Sequence, residues 1–220
     1  MGLKVNKQNL RDQVYEIIRD MILRREIKPG EKIIEKEFAK KIGASRTPVR
    51  EALCRLENEK IVKTIPQRGS FVQKQSQKKV VEVLLIREVL EGLVTRQATQ
   101  NMDKKTLMKL HKCLANIQNT PDNDKHLIKF THADEEFHAL ILEVCQNGML
   151  KSMMDIVNTH LKIIRLRTVV IPGRAKKTVE EHYEILKMIE SNDEKTAEEL
   201  MRKHIVSVRD YAIKNIEYMV

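Results

Sequence analysis

From Val80 to Ile216 one signature repeats: apolar residues recur at three- and four-residue spacing, interrupted only by short polar or Pro/Gly stretches. The stripes cover Val80–Ala98, Leu107–Ile117, Leu127–Cys145, Leu150–Leu166, Val179–Ile189 and Ala197–Ile216. They break at Thr120-Pro121-Asp122-Asn123, Asn147-Gly148, Ile171-Pro172-Gly173 and Ser191-Asn192-Asp193. Spacing of this kind belongs to amphipathic helices, and each helix must bury its stripe against another. Six or seven such helices with short loops predict an antiparallel all-helical bundle. Composition agrees. Aromatics make up 4% with no Trp, too few for a β-sandwich, while 41% hydrophobic residues exclude a disordered chain. No apolar run approaches the roughly 20 residues that cross a bilayer, so no membrane partner is expected. The first ten residues lack the apolar core of a secretory signal. Three widely spaced cysteines, without a CxxC pair, read as reduced thiols in a cytoplasmic protein.

The first third of the chain is different. Residues 1–74 hold 18 Lys and Arg against 10 Asp and Glu, a net of +8, whereas the rest nets only +2. A basic module on a nearly neutral body points to a polyanionic partner. Leu10, Val14, Ile17, Ile18 and Met21 predict a first helix that ends before Lys28-Pro29-Gly30. Phe38, Ala39 and Ile42 mark a second helix stopping at Gly43, and Val49, Leu53 and Leu56 face inward from a third. Ser45 or Thr47 can cap that third helix, with Pro48 in its first turn, where a missing N–H costs nothing. Two β-prone runs, 61–65 and 70–72, flank the turn residues Pro66-Gln67-Arg68-Gly69.

Helix, helix, tight turn, helix and hairpin is the order of a winged helix-turn-helix, whose third helix reads the major groove from its N-terminal end. Ser45, Arg46, Thr47 and Arg50 occupy that end here. Arg46 and Arg50, at i and i+4, share a face. The guanidinium fork suits guanine O6 and N7, and the hydroxyls suit phosphate. Arg68 and Gly69 at the hairpin tip suit a minor-groove approach.

Residues 10–72 resemble the DNA-binding domain of the GntR family of bacterial transcription regulators. The segments carrying the likeness are Ile27-Lys28-Pro29-Gly30-Glu31, Ser45-Arg46-Thr47-Pro48-Val49-Arg50-Glu51-Ala52-Leu53, Leu56, and Gln67-Arg68-Gly69-Ser70-Phe71-Val72. The resemblance implies DNA contacts from Lys36, Ser45, Arg46, Thr47, Arg50 and Gly69. Many members carry Arg where Lys36 stands, and Lys keeps the charge but loses the fork.

In the helical part, the spacing puts Asp134 and His138 along or beside a stripe containing Phe130, Phe137, Ile141 and Cys145. His182 falls in register with Ile185, Leu186 and Ile189, and His204 with Leu200, Met201 and Val208. A lone buried polar group costs about 2–7 kcal/mol. Taken singly, each His has the alternative of a hydrogen-bonded core residue. Together, three imidazoles and a carboxylate converge most economically on a divalent ion with open positions. His132 and His160 fall off this register.

Residues 80–216 resemble the FCD effector domain of the FadR branch of GntR regulators. The likeness rests on Arg87-Glu88-Val89-Leu90-Glu91, Asp134 to His138, Asn147-Gly148, Glu181-His182 and Met201 to His204. It implies metal ligation by Asp134, His138, His182 and His204. It also implies a small carboxylate effector held partly by arginine, with Arg87 the best match. Arg165 is a second candidate and Arg167 a weaker one, a surface or interface charge being the alternative for both.

The expected protein is mainly α: a winged helix-turn-helix at 1–73, a linker at 74–79 and a helical metal-, effector- and dimer-forming domain at 80–220. The expected function is a homodimeric transcription regulator or repressor. It binds a short palindromic double-stranded DNA operator and carries a divalent transition metal (Zn, Ni or Mn, zinc favoured). It is not expected to be an enzyme. The alternative is a metal-dependent hydrolase bundle with an appended nucleic-acid module.

Overall fold

The structure, a computed structural model, describes residues 7–74, 76–118 and 127–216. The chain divides into two compact units, 1–74 and 75–220.

In the first unit, α1 (Lys7–Leu23) packs on α3 (Arg46–Asn58), with α2 (Glu35–Ile42) against α3. Val14, Ile18, Val49, Leu53 and Leu56 are buried between these elements. Ile17, expected on the inner stripe of α1, is 41% exposed because its neighbour Ile18 takes the core position. Gly43 ends α2 in the left-handed region at φ 68°, where a side chain would be strained, and its N–H returns to the last turn. That tight exit aims α3. Ser45 holds the cap position of α3 but makes no side-chain cap bond, so its hydroxyl remains exposed.

β2 (Val62–Ile65) and β3 (Gly69–Val72) pair antiparallel, Val62 opposite Val72 and Ile65 opposite Gly69. Gly69 therefore belongs to the strand, not to the turn. A third strand, β1 (Lys32–Ile33), joins the outer side of β3, giving the order β1-β3-β2. Two residues are too few to show a period, so the sequence did not reveal β1.

The second unit contains α4 (Gln77–Thr99), α5 (Lys104–Gln118), α6 (Leu127–Val144), α7 (Gly148–Thr168), α8 (Arg174–Glu190) and α9 (Glu194–Lys214). Ser76 Oγ accepts the Lys79 N–H, so Gln77–Lys79 form the first turn of α4 instead of linker. Asn147 caps α7 through Leu150 N, and Asp193 caps α9 through Thr196 N. The predicted break at Thr120–Asn123 lies outside the described residues. α4 packs along α9 and touches α6 and α7, while α5 packs against α6 and α8. Leu84, Leu114, Phe137, Ile141, Leu161 and Ile205 are fully buried among these helices. So are Arg87 and Arg174, each 2% exposed. A core of this kind is built around charge as well as around apolar packing. No described helix is long and apolar enough to cross a membrane.

Leu56 has no solvent exposure and joins α3 to the rest of the first unit. Leu56→Ala is expected to cost about 2–5 kcal/mol in urea unfolding, the usual loss for a buried leucine.

Candidate metal centre and nucleic-acid interface

The second unit brings Asp134 and His138 from α6, His182 from α8 and His204 from α9 together. One ligand atom from each lies within 4.8 Å of all the others. His182 Nε2 and His204 Nε2 are 3.3 Å apart. Asp134 Oδ1 is 3.8 Å from His138 Nε2 and 3.7 Å from His182 Nε2. Metal bonds of about 2.1 Å arranged tetrahedrally place donors about 3.4 Å apart. The four residues therefore fit a divalent cation with small adjustments, and their donor set is one that transition ions accept.

Groups behind the ligands orient them. His204 Nδ1 donates to Glu181 Oε2 at 2.7 Å, which leaves the Nε2 lone pair facing the cluster. Glu91 Oε2 lies 2.5 Å from His138 Nδ1, so a carboxylate backs that imidazole too. Phe137 stacks on His182, ring centroids 4.0 Å apart and planes 11° from parallel. Among the described residues, His182 Nδ1 is buried without a hydrogen-bond partner.

Three buried guanidiniums surround the four ligands. Arg87 Nε donates to Glu91 Oε1 at 2.6 Å, and its Nη2 meets His138 Nε2 at 3.0 Å. Arg165 Nε sits 3.2 Å from Asp134 Oδ2. Arg174 donates to Glu181 at 2.7 Å and to Ser207 at 2.7 Å. Arg165 and Arg167 are both buried, so neither is a surface charge. The sequence pointed to Arg87 and Arg165 but missed Glu91, Arg174 and Glu181 as members of this cluster. Glu91 stands one turn from Arg87, the one signal that could have exposed it; Arg174 carries no such mark. His132 is exposed and His160 half-buried, and neither belongs to the ligand cluster.

Burial dominates the electrostatics. It pushes His182 well below the usual imidazole range and His204 down to about 4, the latter despite the opposing pull of Glu181. Both are neutral near pH 7, as coordination requires. Burial alone would raise the carboxylates. The charges of His138, Arg165 and Arg87 outweigh it at Asp134, and those of Arg87 and His138 outweigh it at Glu91. Glu181 falls to about 2 through His204 and Arg174. Beside the cluster a cavity of about 470 Å³ opens, lined by His138, Arg165, Glu91, Thr95, Lys162 and Met201 among others. Arg165 Nε faces Asp134, while its Nη2 is buried and has no hydrogen-bond acceptor among the described residues.

In the first unit, Lys36, Ser45, Arg46, Thr47, Arg50 and Arg68 are exposed, and Gly69 is half-buried. Arg46 and Arg50 present more than half of their side chains to solvent. Glu35, at the start of α2, accepts from Arg50 Nε and Nη2 at 3.2 and 3.1 Å and from Arg46 Nη2 at 3.4 Å. Those hydrogen bonds hold its carboxyl below the usual range. Nothing in the helical spacing foretold this bridge, because it joins two helices. Gly69 at φ 99° has a conformation that side chains rarely adopt, and an added Cβ would meet the Lys32 chain at 3.0 Å.

Comparison with known families matches both units. The pattern of the bacterial regulatory proteins of the gntR family covers residues 10–72, and that of the FCD domain covers 82–207. The chain is a GntR-family transcriptional regulator with an FCD domain. This GntR/FCD regulator is 28% identical over 192 residues to the uncharacterized HTH-type transcriptional regulator YdhC of Bacillus subtilis, covering 87% of this chain and 86% of that one. It is 26% identical over 203 residues to the HTH-type transcriptional repressor RspR of Escherichia coli, covering 92% and 89%. E. coli McbR/YncC shares the fold, with a TM-score of 0.65 at 21% identity across 95% of this chain and 98% of that one. Families and relatives alike are regulators, which removes the hydrolase reading.

Acid should destabilise the metal-free GntR/FCD protein. An unfolded imidazole takes up its proton near pH 6.5, whereas folded His204 does so near 4. Between those values the unfolded chain binds more protons, so stability falls as pH falls. Glu181, at about 2, extends the same trend below pH 4.5. Calorimetry of chelator-treated protein should show Tm falling from pH 7 to pH 5. A flat or rising Tm would mean that the buried imidazoles carry protons in the fold.

Proposed function

We propose that this regulator reads a short palindromic operator through α3 and the hairpin tip, and that its FCD unit couples that binding to a divalent ion and a small carboxylate. The convergence of Asp134, His138, His182 and His204, each imidazole except His182 backed by a carboxylate, carries the reading. Bound there, a divalent transition ion, zinc the first candidate ahead of nickel and manganese, supplies positive charge and open positions for an anionic ligand. Arg165 borders the adjoining cavity with a buried Nη2 donor to give that ligand, and Arg87 rests on His138 at the cavity's edge. Occupancy shifts the population of operator-competent protein.

At the DNA, Arg46 and Arg50 read bases; Ser45, Thr47 and Lys36 set register on phosphates; Arg68 and Gly69 approach the minor groove. The active form is a homodimer acting in the cytoplasm. Its support is an apolar face that the fold leaves uncovered. Leu85, Ile86, Val89 and Leu93 are 36–53% exposed on α4. They span an arc of roughly 100° at 100° per residue. Met149, Met153 and Ile156 are 45–69% exposed on neighbouring α7. A second copy is the occupant that operator symmetry demands.

Two measurements test this reading. Arg46→Ala and Arg50→Ala should each cost about 1–3 kcal/mol in operator binding by fluorescence anisotropy, with little change on unrelated duplex. If both bind the operator like the parent protein, α3 does not read bases. Zinc at 100 times its Kd should stabilise the chelator-treated protein by about 2.7 kcal/mol, and His182→Ala should abolish that gain. Unchanged stabilisation in His182→Ala would place the ion elsewhere.

A further inference from the structure

We propose that Glu35 on α2 is a specificity-determining residue of the DNA interface: its carboxylate lowers the pull of Arg46 and Arg50 on phosphate while leaving N–H pairs of both guanidiniums free for guanine. This rests on the base-reading role proposed above for the two arginines and adds a residue that acts through them.

Glu35 uses both of its oxygens. Oε1 accepts from Arg50 Nε at 3.2 Å, and Oε2 accepts from Arg50 Nη2 at 3.1 Å and from Arg46 Nη2 at 3.4 Å. Arg50 thus commits the edge of its fork formed by Nε and Nη2. Its end-on edge, Nη1 with the second Nη2 hydrogen, keeps two parallel N–H groups. Arg46 gives one N–H and keeps the others. The two arginine side chains are 61% and 63% exposed, so the remaining donors are open to a ligand. Two N–H groups side by side are what guanine O6 and N7 accept. Among the described residues, no other carboxylate forms a salt bridge with either arginine.

Charge separates the two kinds of contact. Phosphate is an anion and attracts a guanidinium whatever the base sequence. Guanine O6 and N7 are neutral acceptors, for which the placement of N–H groups matters more than net charge. Two arginines beside one carboxylate carry a combined charge of +1 instead of +2. The Arg50 and Arg46 hydrogen bonds hold the Glu35 carboxyl below its usual range, so it stays ionised near neutral pH. Its side chain is only 26% exposed, which limits screening by water. Glu35 therefore weakens phosphate binding more than guanine binding. Lys36, the neighbour proposed to set register on phosphate, pairs with no carboxylate among the described residues and keeps its full charge. Exposed pairs are individually weak, so the expected effect is a several-fold change in selectivity and not a loss of binding.

The test compares two duplexes. The full chain selects an operator from a pool of random duplexes, and the second duplex is that sequence scrambled. Fluorescence anisotropy gives both affinities for the parent protein and for Glu35→Gln, which keeps the shape and removes the charge. The preference of Glu35→Gln for operator over scrambled duplex should fall by about fivefold, through tighter binding to the scrambled duplex. The salt dependence on that duplex should steepen by about one unit of slope, as freed arginines take up phosphate. Partial misfolding lowers the active fraction for both duplexes alike and leaves their ratio untouched. In an Arg50→Ala background the carboxylate has lost its bidentate partner, and Glu35→Gln should change the ratio by about twofold or less. An unchanged or increased preference overturns the inference. So does an equal effect with and without Arg50, which makes Glu35 a general surface charge. If Arg46→Ala and Arg50→Ala bind operator like the parent, or selection yields no preferred sequence, base reading fails and the inference falls with it. If those variants lose operator affinity while Glu35→Gln keeps the preference, the role of Glu35 alone fails.

Discussion

The FCD unit depends on a polar core that cannot be left incomplete. Arg87, Arg165 and Arg174 are buried where water cannot serve them, and each is held by one carboxylate. Removing one partner from such a pair leaves an uncompensated charge, at a cost of about 3–5 kcal/mol. Two of the pairs lie within a helix and one joins two helices. Arg87 and Glu91 share α4, Arg165 on α7 meets Asp134 on α6, and Arg174 and Glu181 share α8. Three imidazoles from α6, α8 and α9 complete the arrangement. Apolar stripes bring the helices together, but helices can slide and rotate on apolar surfaces at modest cost. Ion pairs and imidazoles of fixed geometry permit far fewer registers.

A centre of this sort has a double character. Each of its three buried guanidiniums is matched by a carboxylate of the chain itself. Its lone pairs nonetheless converge, and two of its imidazoles are kept unprotonated by burial. The guanidiniums resting on His138 and Asp134 are the groups that an ion bound at these residues would rearrange.

The DNA-reading unit solves the opposite problem. Arg46 and Arg50, the arginines proposed to read bases, lie in solvent, where long side chains have many rotamers and exposed pairs contribute about 0–1 kcal/mol. Glu35 gathers Arg46 and Arg50 onto one carboxylate, which limits their freedom without burying them. The rest of the unit fixes the backbone beneath them, through the left-handed exit at Gly43 and the apolar seat of α3.

Much of this molecule was legible in its sequence, since helix periodicity and turn residues are local properties. The six helical stripes, the breaks at Asn147-Gly148 and Ser191–Asp193, and the helix-turn-helix order all follow from residues within a few positions of one another. The convergence of Asp134, His138, His182 and His204 was legible too, because a His or Asp in register with Ile and Leu has nowhere else to point. Other features were not. β1 is two residues long and exists only because β3 offers it a pairing edge. Ile17 and Ile18 are equally apolar, and packing against α3 alone chose Ile18 for the core. Arg165 read as well as a surface charge until Asp134 on α6 was found beside it. Glu35, Arg174 and Glu181 took their roles from neighbours far along the chain or across a turn. Local spacing determined which residues share a face. Only the tertiary structure decided which faces meet, because a buried charge is defined by the partner that the fold delivers to it.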